Sequence, residues 1–488
     1  MVGSLSTSAL DLGQGFMAGE PTPDSVLLQT RLTEGVRTFD EDLLGSMGFV
    51  QFVWWVSGKP AAREQSPWLE ALPARDHIVR HRATGLLPGT QYRYSVRYTA
   101  DHQTVHESEP GAFMTLPGPE ASDSLRLAVI TCMNYYKYHY GDYDRNSVEL
   151  DVDHEYGYEG IRTIAGLKPD LFISTGDTVY IDHPALEPFL RKIAEGLDPF
   201  PSPFAGREAV TTAEMRRKYH EQFSQKNLIT LLTQVSSYWQ KDDHEYRFDD
   251  ADPYMEGLPS HETGIAIFRE QMPILDAGDM ESPTWRTHRI SRDLQIWLTE
   301  GRDHRSPNEM PDGPDKSLWG SDQFTWLKES VVTSDATFKV IINPIPLIGP
   351  DDAHKNDNHT NPGGFQFERD LWLAWLVQND LSPDHLFFVT GDRHWQYHVQ
   401  HPTGYHEFSS GTIDRSNART GRVPGDPEST DPLNEVKVHY MQAEPESVDG
   451  GFLLIDVQPA ASGQSPSIRF QHHNQAGKRL HTFSSPIR

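Results

Sequence analysis

The hydrophobic pattern of the chain changes character once. Between residues 16 and 116 it reads as short strands. Residues 25–32 and 48–56 are dense in β-branched and aromatic side chains, and residues 77–83 alternate between Pro- and Gly-containing turns. The run Leu86-Leu87-Pro88-Gly89-Thr90-Gln91-Tyr92 then enters an alternating strand, 92–98. An all-β sandwich of about a hundred residues is predicted, closed by the Pro/Gly linker Leu116-Pro117-Gly118-Pro119. Trp54 and Trp55 are expected in its core.

Beyond the linker, strands alternate with helices, the pattern of an α/β layer architecture. Apolar runs at 125–131, 171–175, 235–239, 338–343 and 385–390 have the length of buried strands. Helices are predicted at 155–167, with Ile161, Ile164 and Leu167 on one face; at 212–234, with Thr212 as N-cap; and at 365–379, with Leu371, Trp375 and Leu376 facing inward. Residues 415–431 read as loop, and late strands at 451–457 and 468–470 complete the sheet. The expected domains are residues 16–117 and 124–488.

Several of these strands end at once in side chains that bind metals. Cys132 follows the first, Asp177 and Tyr180 the second, Asp242-Asp243-His244 the third, and Asp392 with His394 the last. In an α/β sheet, strand ends are where ligands bind. If the strands are neighbours, all these groups enter one pocket. A bridging carboxylate, best supplied by Asp177, suits a pair of cations about 3.5–4 Å apart that clamp an in-line displacement. Thiolate, phenolate and imidazole favour a transition metal, with ferric iron ahead of zinc. Asp243 and Asp392 are hard oxygen donors suited to calcium, magnesium or manganese. His244, beside a ligand, would either protonate a leaving group or stabilise charge on a transferred phosphoryl, and the nucleophile would be a metal-bound hydroxide.

Composition narrows the partners. With 43 basic and 70 acidic residues the net charge is −27, so the surface repels nucleic acid and anionic membranes, and a site for an anionic substrate must supply its own cations. The single cysteine, Cys132, rules out an intramolecular disulfide. No run reaches the length of a membrane span. The start lacks a signal-like n- and h-region, so the chain is either cytoplasmic or has lost an export signal. No Gly-x-Ser-x-Gly elbow or Walker-type loop is present, which removes serine esterase and nucleotide kinase readings.

The ordered set Cys132, Gly176-Asp177-x-x-Tyr180, Asp242-Asp243-His244-Glu245 and Gly391-Asp392-x-His394 resembles the alkaline phosphatase D (PhoD-like) family of calcineurin-like metallophosphoesterases. Residues 19–26, 364–369 and 407–411 are similar as well. The resemblance implies an αββα-sandwich catalytic domain behind an immunoglobulin or fibronectin III-like sandwich. It also implies ferric iron on Cys132, Asp177, Tyr180 and His394, with calcium on Asp177, Asp243 and Asp392; Mn2+, Zn2+ or Mg2+ are the substitutes. The implied activity is hydrolysis of phosphodiesters or monoesters, often after export. His244, Asp177 and Asn134 are the expected catalytic residues. Asn134, His244 and Arg393 are expected on the phosphate oxygens, with Arg145 and Arg162 as further cations. Glu300-Gly301-Arg302 stands where Asp-Thr-Arg is expected, and the acids 249–252 either add calcium ligands or form a solvated turn, the latter being favoured. Triesterase or phospholipase D-like diesterase activity on the same site is one alternative. A calcium-dependent extracellular binding protein with a structural cluster is another.

Overall fold

A computed structural model describes residues 10–37, 42–141, 152–184, 208–460 and 465–486. Two large β-sheets pack face to face with helices outside both, giving four layers, αββα. In the nine-stranded sheet, Leu125–Ile130, Leu171–Ser174 and Ser236–Trp239 lie side by side and parallel. The late strands Gly451–Gln458, Ser467–Asn474 and Arg479–Pro486 extend it on one side, all antiparallel. The seven-stranded sheet centres on Leu294–Leu298, Phe338–Asn343 and Leu386–Thr390, again parallel.

The period of two in each strand builds the layers. Leu127, Val129, Leu171 and Ile173 meet Val340, Ile342, Phe387 and Val389 between the sheets. Their alternates Ala128, Ile130 and Phe172 pack on helices through Ile161, Ile164, Leu228 and Leu231. On the far side Trp297, Ile341 and Phe388 pack against Leu327, Trp372 and Leu376. Strands buried on both faces read as continuous apolar runs for this reason.

The N-terminal sandwich is present: Val26, Leu28, Val50, Phe52, Tyr94 and Val96 share a core, and Trp54 and Trp55 are buried. The Tyr92 hydroxyl accepts the backbone N–H of Leu87 at 2.9 Å, the expected tyrosine corner. One of its sheets, however, is the edge of the nine-stranded sheet. Phe16–Gly19 runs parallel to Ser236–Trp239, with Gly19 opposite Ser237, and carries Ser25–Arg31 and Ile78–Thr84 beyond it. A Cβ on Gly19 would sit 2.5 Å from the Pro273 carbonyl oxygen.

Two helix predictions need correction. The segment expected as one helix over 212–234 is two, Thr212–Phe223 and Lys226–Gln234. Thr211, not Thr212, is the N-cap, in a capping box with Glu214. The break falls where Gln225 turns extended and packs on Gly157, and Asn227 Nδ2 donates to the Gly157 carbonyl at 2.9 Å. In Gln366–Gln378, Leu371 is 48% exposed, and the inward face is Glu368, Trp372, Leu373 and Leu376.

Candidate metal centre

Three adjacent parallel strands of one sheet and one strand of the other end at the same place. Thr131 and Thr412 form an isolated parallel bridge there, and the Asp392 N–H donates to Thr131 Oγ1 at 3.3 Å. The closeness depends on Gly391, where a Cβ would lie 2.4 Å from Thr175 Oγ1 and 2.5 Å from the Pro344 carbonyl oxygen. Past the strand ends the backbone turns sharply. Cys132, Asp177 and Asp392 all take positive φ, at 53°, 55° and 61°. Non-glycine residues held in this region cost on the order of 1 kcal/mol or more each and cluster at functional sites.

The side chains converge. Cys132 Sγ lies 3.2 Å from Asp177 Oδ2, and the Tyr180 hydroxyl donates to the same oxygen at 3.1 Å. Tyr180 Oη is 3.4 Å from His394 Nε2 and accepts from Asn417 Nδ2 at 3.1 Å. Ligand-capable atoms fall within 4.8 Å of one another in the groups Cys132/Asp177/His394, Asp177/Asp243/His244 and Asp177/Asp242/Asp392. Asp177 belongs to all three. Its Oδ1 is buried and has no hydrogen-bond partner among the described residues. An orphan carboxylate oxygen in that position costs free energy unless a cation meets it.

The electrostatics favour a cation too. Burial, then the charge of Asp177, pushes the Cys132 thiol well above its ordinary range. Burial, then Asp177 and Cys132, does the same to the Tyr180 phenol. Asp177 itself is driven well up, by burial and by Asp243, Asp242 and Glu245, against the opposing pull of His244. Burial and nearby cations keep His394 neutral, the form that ligates. A buried cluster of acids that disfavours its own ionisation is one that a bound cation would ionise. The donor set fits a metal centre.

His244 Nδ1 is 2.8 Å from Asp182 Oδ1, and its ring stacks on Tyr180 with centroids 3.9 Å apart. Burial opposes the imidazolium, but Asp182, Asp243 and Asp177 outweigh it and hold the pKa well above the usual value. Asn134 is buried; its Oδ1 accepts from the Lys137 N–H, and its Nδ2 meets His183 Nδ1 at 3.1 Å.

Other expected residues are placed differently. Arg393 is buried with its two terminal nitrogens on Asp351 and Asp392, so it is a strut for a ligand rather than an open cation. Arg162 pairs with Glu159 at the surface, and Arg145 lies outside the described residues. Glu300 bonds Lys241 Nζ at 2.7 Å, while Arg302 is fully buried and grips Asp242 at 2.6 Å and Asp357 at 3.2 Å. Of the acids 249–252 only Asp249 is solvated. Asp252 is buried, Asp250 pairs with Lys355, and the Asp250 N–H donates to Asp243 Oδ2 at 2.7 Å.

Sequence reasoning missed Glu245, Asp182, Asn417 and Asp357. Glu245 was legible as the last letter of Asp-Asp-His-Glu. Asp182 sits two residues past Tyr180. No pattern marks Asn417 or Asp357, which arrive from loops.

Comparisons with known proteins place the chain in a family and match its fold. The family model of the PhoD-like phosphatases matches residues 127–461, and that of the PhoD-like phosphatase N-terminal domain matches residues 4–117. Alkaline phosphatase D of Bacillus subtilis (strain 168) is 23% identical over 359 residues, 68% of this chain; the match spans 55% of that relative's length. The solved structure of PhoD superposes with a TM-score of 0.73 at 18% identity, over 99% of this chain and 90% of that one. A purple acid phosphatase from yellow lupin (Lupinus luteus) seeds gives 0.58 at 11% identity, covering 96% and 73%. At these identities the structural likeness speaks to the fold.

Proposed function

Because the chain belongs to the PhoD-like phosphatase family, we propose that it hydrolyses phosphate esters, diesters or monoesters, at the strand-end cluster around Asp177. In this reading Cys132, Asp177, Tyr180 and His394 hold ferric iron, and Asp177, Asp243 and Asp392 hold calcium. Bound there, the cations would neutralise phosphoryl oxygens and lower the pKa of the attacking water.

The chain's own groups do the rest. Asp182 fixes one face of the His244 ring through Nδ1, which leaves Nε2 to give a proton to the departing ester oxygen. Asp182, which lies outside the proposed ligand set, keeps that proton on the ring until the bond breaks. Asn134 stands two residues past Cys132, and its amide is held by His183 and the start of the following helix. A donor with so few ways to move suits a non-bridging phosphoryl oxygen. Arg393 and Arg302 balance Asp392 and Asp242 from behind.

The observation that carries the reading is the partnerless, buried Oδ1 of Asp177, at the corner shared by three groups of possible ligands. The test is turnover of bis- and mono-nitrophenyl phosphate, with elemental analysis of the same samples. Asp177→Asn is expected to lose both metals and at least about 100-fold in turnover. Cys132→Ala is expected to lose iron and its visible charge-transfer absorbance before calcium. Parent-like metal content and turnover in both variants would refute the assignment.

A further inference from the structure

Away from the strand ends, five histidines gather at the margin of the two sheets. His398 lies in Gln396–Gln400, His406 in His406–Ser410 and His439 in Lys437–Met441, three neighbouring strands of the seven-stranded sheet. His472 and His481 come from the facing nine-stranded sheet. None of the five touches the centre around Asp177. His406 is level with Phe387 at the start of Leu386–Thr390, whereas Asp392 lies beyond the other end of that strand.

The register explains how three imidazoles meet. His398 pairs with Phe408 and Gln400 with His406, so His398 and His406 are diagonal neighbours on one face. His398 Nε2 is 2.8 Å from His406 Nδ1. On the other side His398 pairs with Tyr440 and Val399 with Val438, which leaves His439 as the extra residue of a β-bulge. A bulge re-aims a side chain, and here the His439 ring stacks on His398 with centroids 4.4 Å apart. One ring nitrogen from each of His398, His406 and His439 lies within 4.8 Å of the other two.

We infer that His398, His406 and His439 form a second metal site, for a divalent transition cation of the zinc class. An all-imidazole set selects such ions over calcium or magnesium, which demand oxygen. Three histidines with a fourth position left open is a known zinc arrangement. At a Zn–N distance of about 2.0–2.1 Å, tetrahedral ligands stand about 3.4 Å apart, so an ion would draw His398 and His406 slightly apart from their 2.8 Å contact and turn the His439 ring out of its stack on His398. The surroundings are those of a ligand shell. His398 uses its other nitrogen, Nδ1, on His481 Nε2 at 3.0 Å, the outer contact that fixes ring orientation and tautomer. His439 Nε2 is held by Gln400 Oε1 at 3.1 Å. His398 and His406 are buried and His439 is exposed, which gives an ion a way in. Burial and neighbouring histidines keep His398 far below the usual imidazole range, and burial with His439 beside it brings His406 down to about 4. A cation here would tie three strands of the seven-stranded sheet together at the margin where it faces the other sheet.

The experiment is a zinc titration of the untagged full chain, already loaded at its strand-end centre, followed by chelator competition and by thermal melting. The parent is expected to take up one zinc more per chain than His439→Ala. His406→Gln should bind that zinc at least about tenfold more weakly. Zinc should raise the melting temperature of the parent and not that of His439→Ala, whose exposed side chain can be removed without unfolding the sheet. Equal zinc uptake by parent and His439→Ala, or no uptake by the parent at micromolar zinc, would overturn the site and leave a hydrogen-bonded imidazole chain.

Discussion

Glu245 stands behind the candidate ligands and accepts the backbone N–H groups of Asp177 at 2.9 Å, Val179 at 3.2 Å and Asp242 at 3.1 Å, as well as that of Thr178. One buried carboxylate thus fixes two strand ends at once. Glu245→Gln would turn amide donors toward these backbone donors. It is expected to cost on the order of 3 kcal/mol in urea unfolding and to reduce metal content together with turnover. Lost stability with full metal occupancy would show that Glu245 supports the fold alone. The residues that face the centre were legible because each ends an apolar run: Cys132, Asp177, Asp243 and Asp392 stand where the strand pattern stops. Glu245 was visible as a letter but not as a role, because the backbone it holds lies 66–68 positions earlier. Arg393 was misread for the same kind of reason. Its partner Asp351 comes from a Pro-rich loop whose path no periodicity describes, and only that path turns the guanidinium inward.

Secondary elements were legible where the period of two or the length of an apolar run was clean, and Phe338–Asn343 agrees to the residue. They were less so where a tertiary contact decides, as at Gln225, where packing on Gly157 outweighs the helical propensity of the sequence either side. A polar network shows how elements are docked. Asp76, after the short 3-10 turn Pro73–Arg75, takes Arg31 Nη2 at 3.0 Å, His220 Nε2 at 2.6 Å and Gln271 Nε2 at 2.9 Å. It thereby links the sandwich to Thr212–Phe223 and His261–Gln271. Burial opposes the charged Asp76, but His220 and Arg31 outweigh it and hold the carboxyl well below its ordinary value. A depressed carboxyl contributes its full stability above the unfolded value of about 3.9 and loses it as pH falls toward the folded one. Asp76→Asn should therefore lower stability at neutral pH by about 3–5 kcal/mol and flatten the acid limb of the melting-temperature curve below about pH 4. An acid limb as steep as the parent's would mean that other carboxylates set it.

At the scale of the whole molecule, the sandwich and the αββα layers share one sheet. Glu20 N–H donates to the Ser237 carbonyl at 3.1 Å, and the Tyr238 hydroxyl donates to that of Pro21 at 2.8 Å, so the contact is backbone pairing reinforced by a buried phenol. The Pro/Gly linker at 116–119 marked a domain boundary, because a composition change is visible in a sequence and a strand pairing across more than two hundred residues is not. Calorimetry of the full chain is expected to give a single transition whose van't Hoff and calorimetric enthalpies agree. Two separated transitions would show that the sandwich folds on its own. The two family models part between residues 117 and 127, yet the parts on either side of that boundary share one continuous sheet. Any recombination that exchanged the first 117 residues would have to bring a strand able to cap Ser236–Trp239. Inheritance can treat the two parts as separate pieces only while that one backbone ladder is kept.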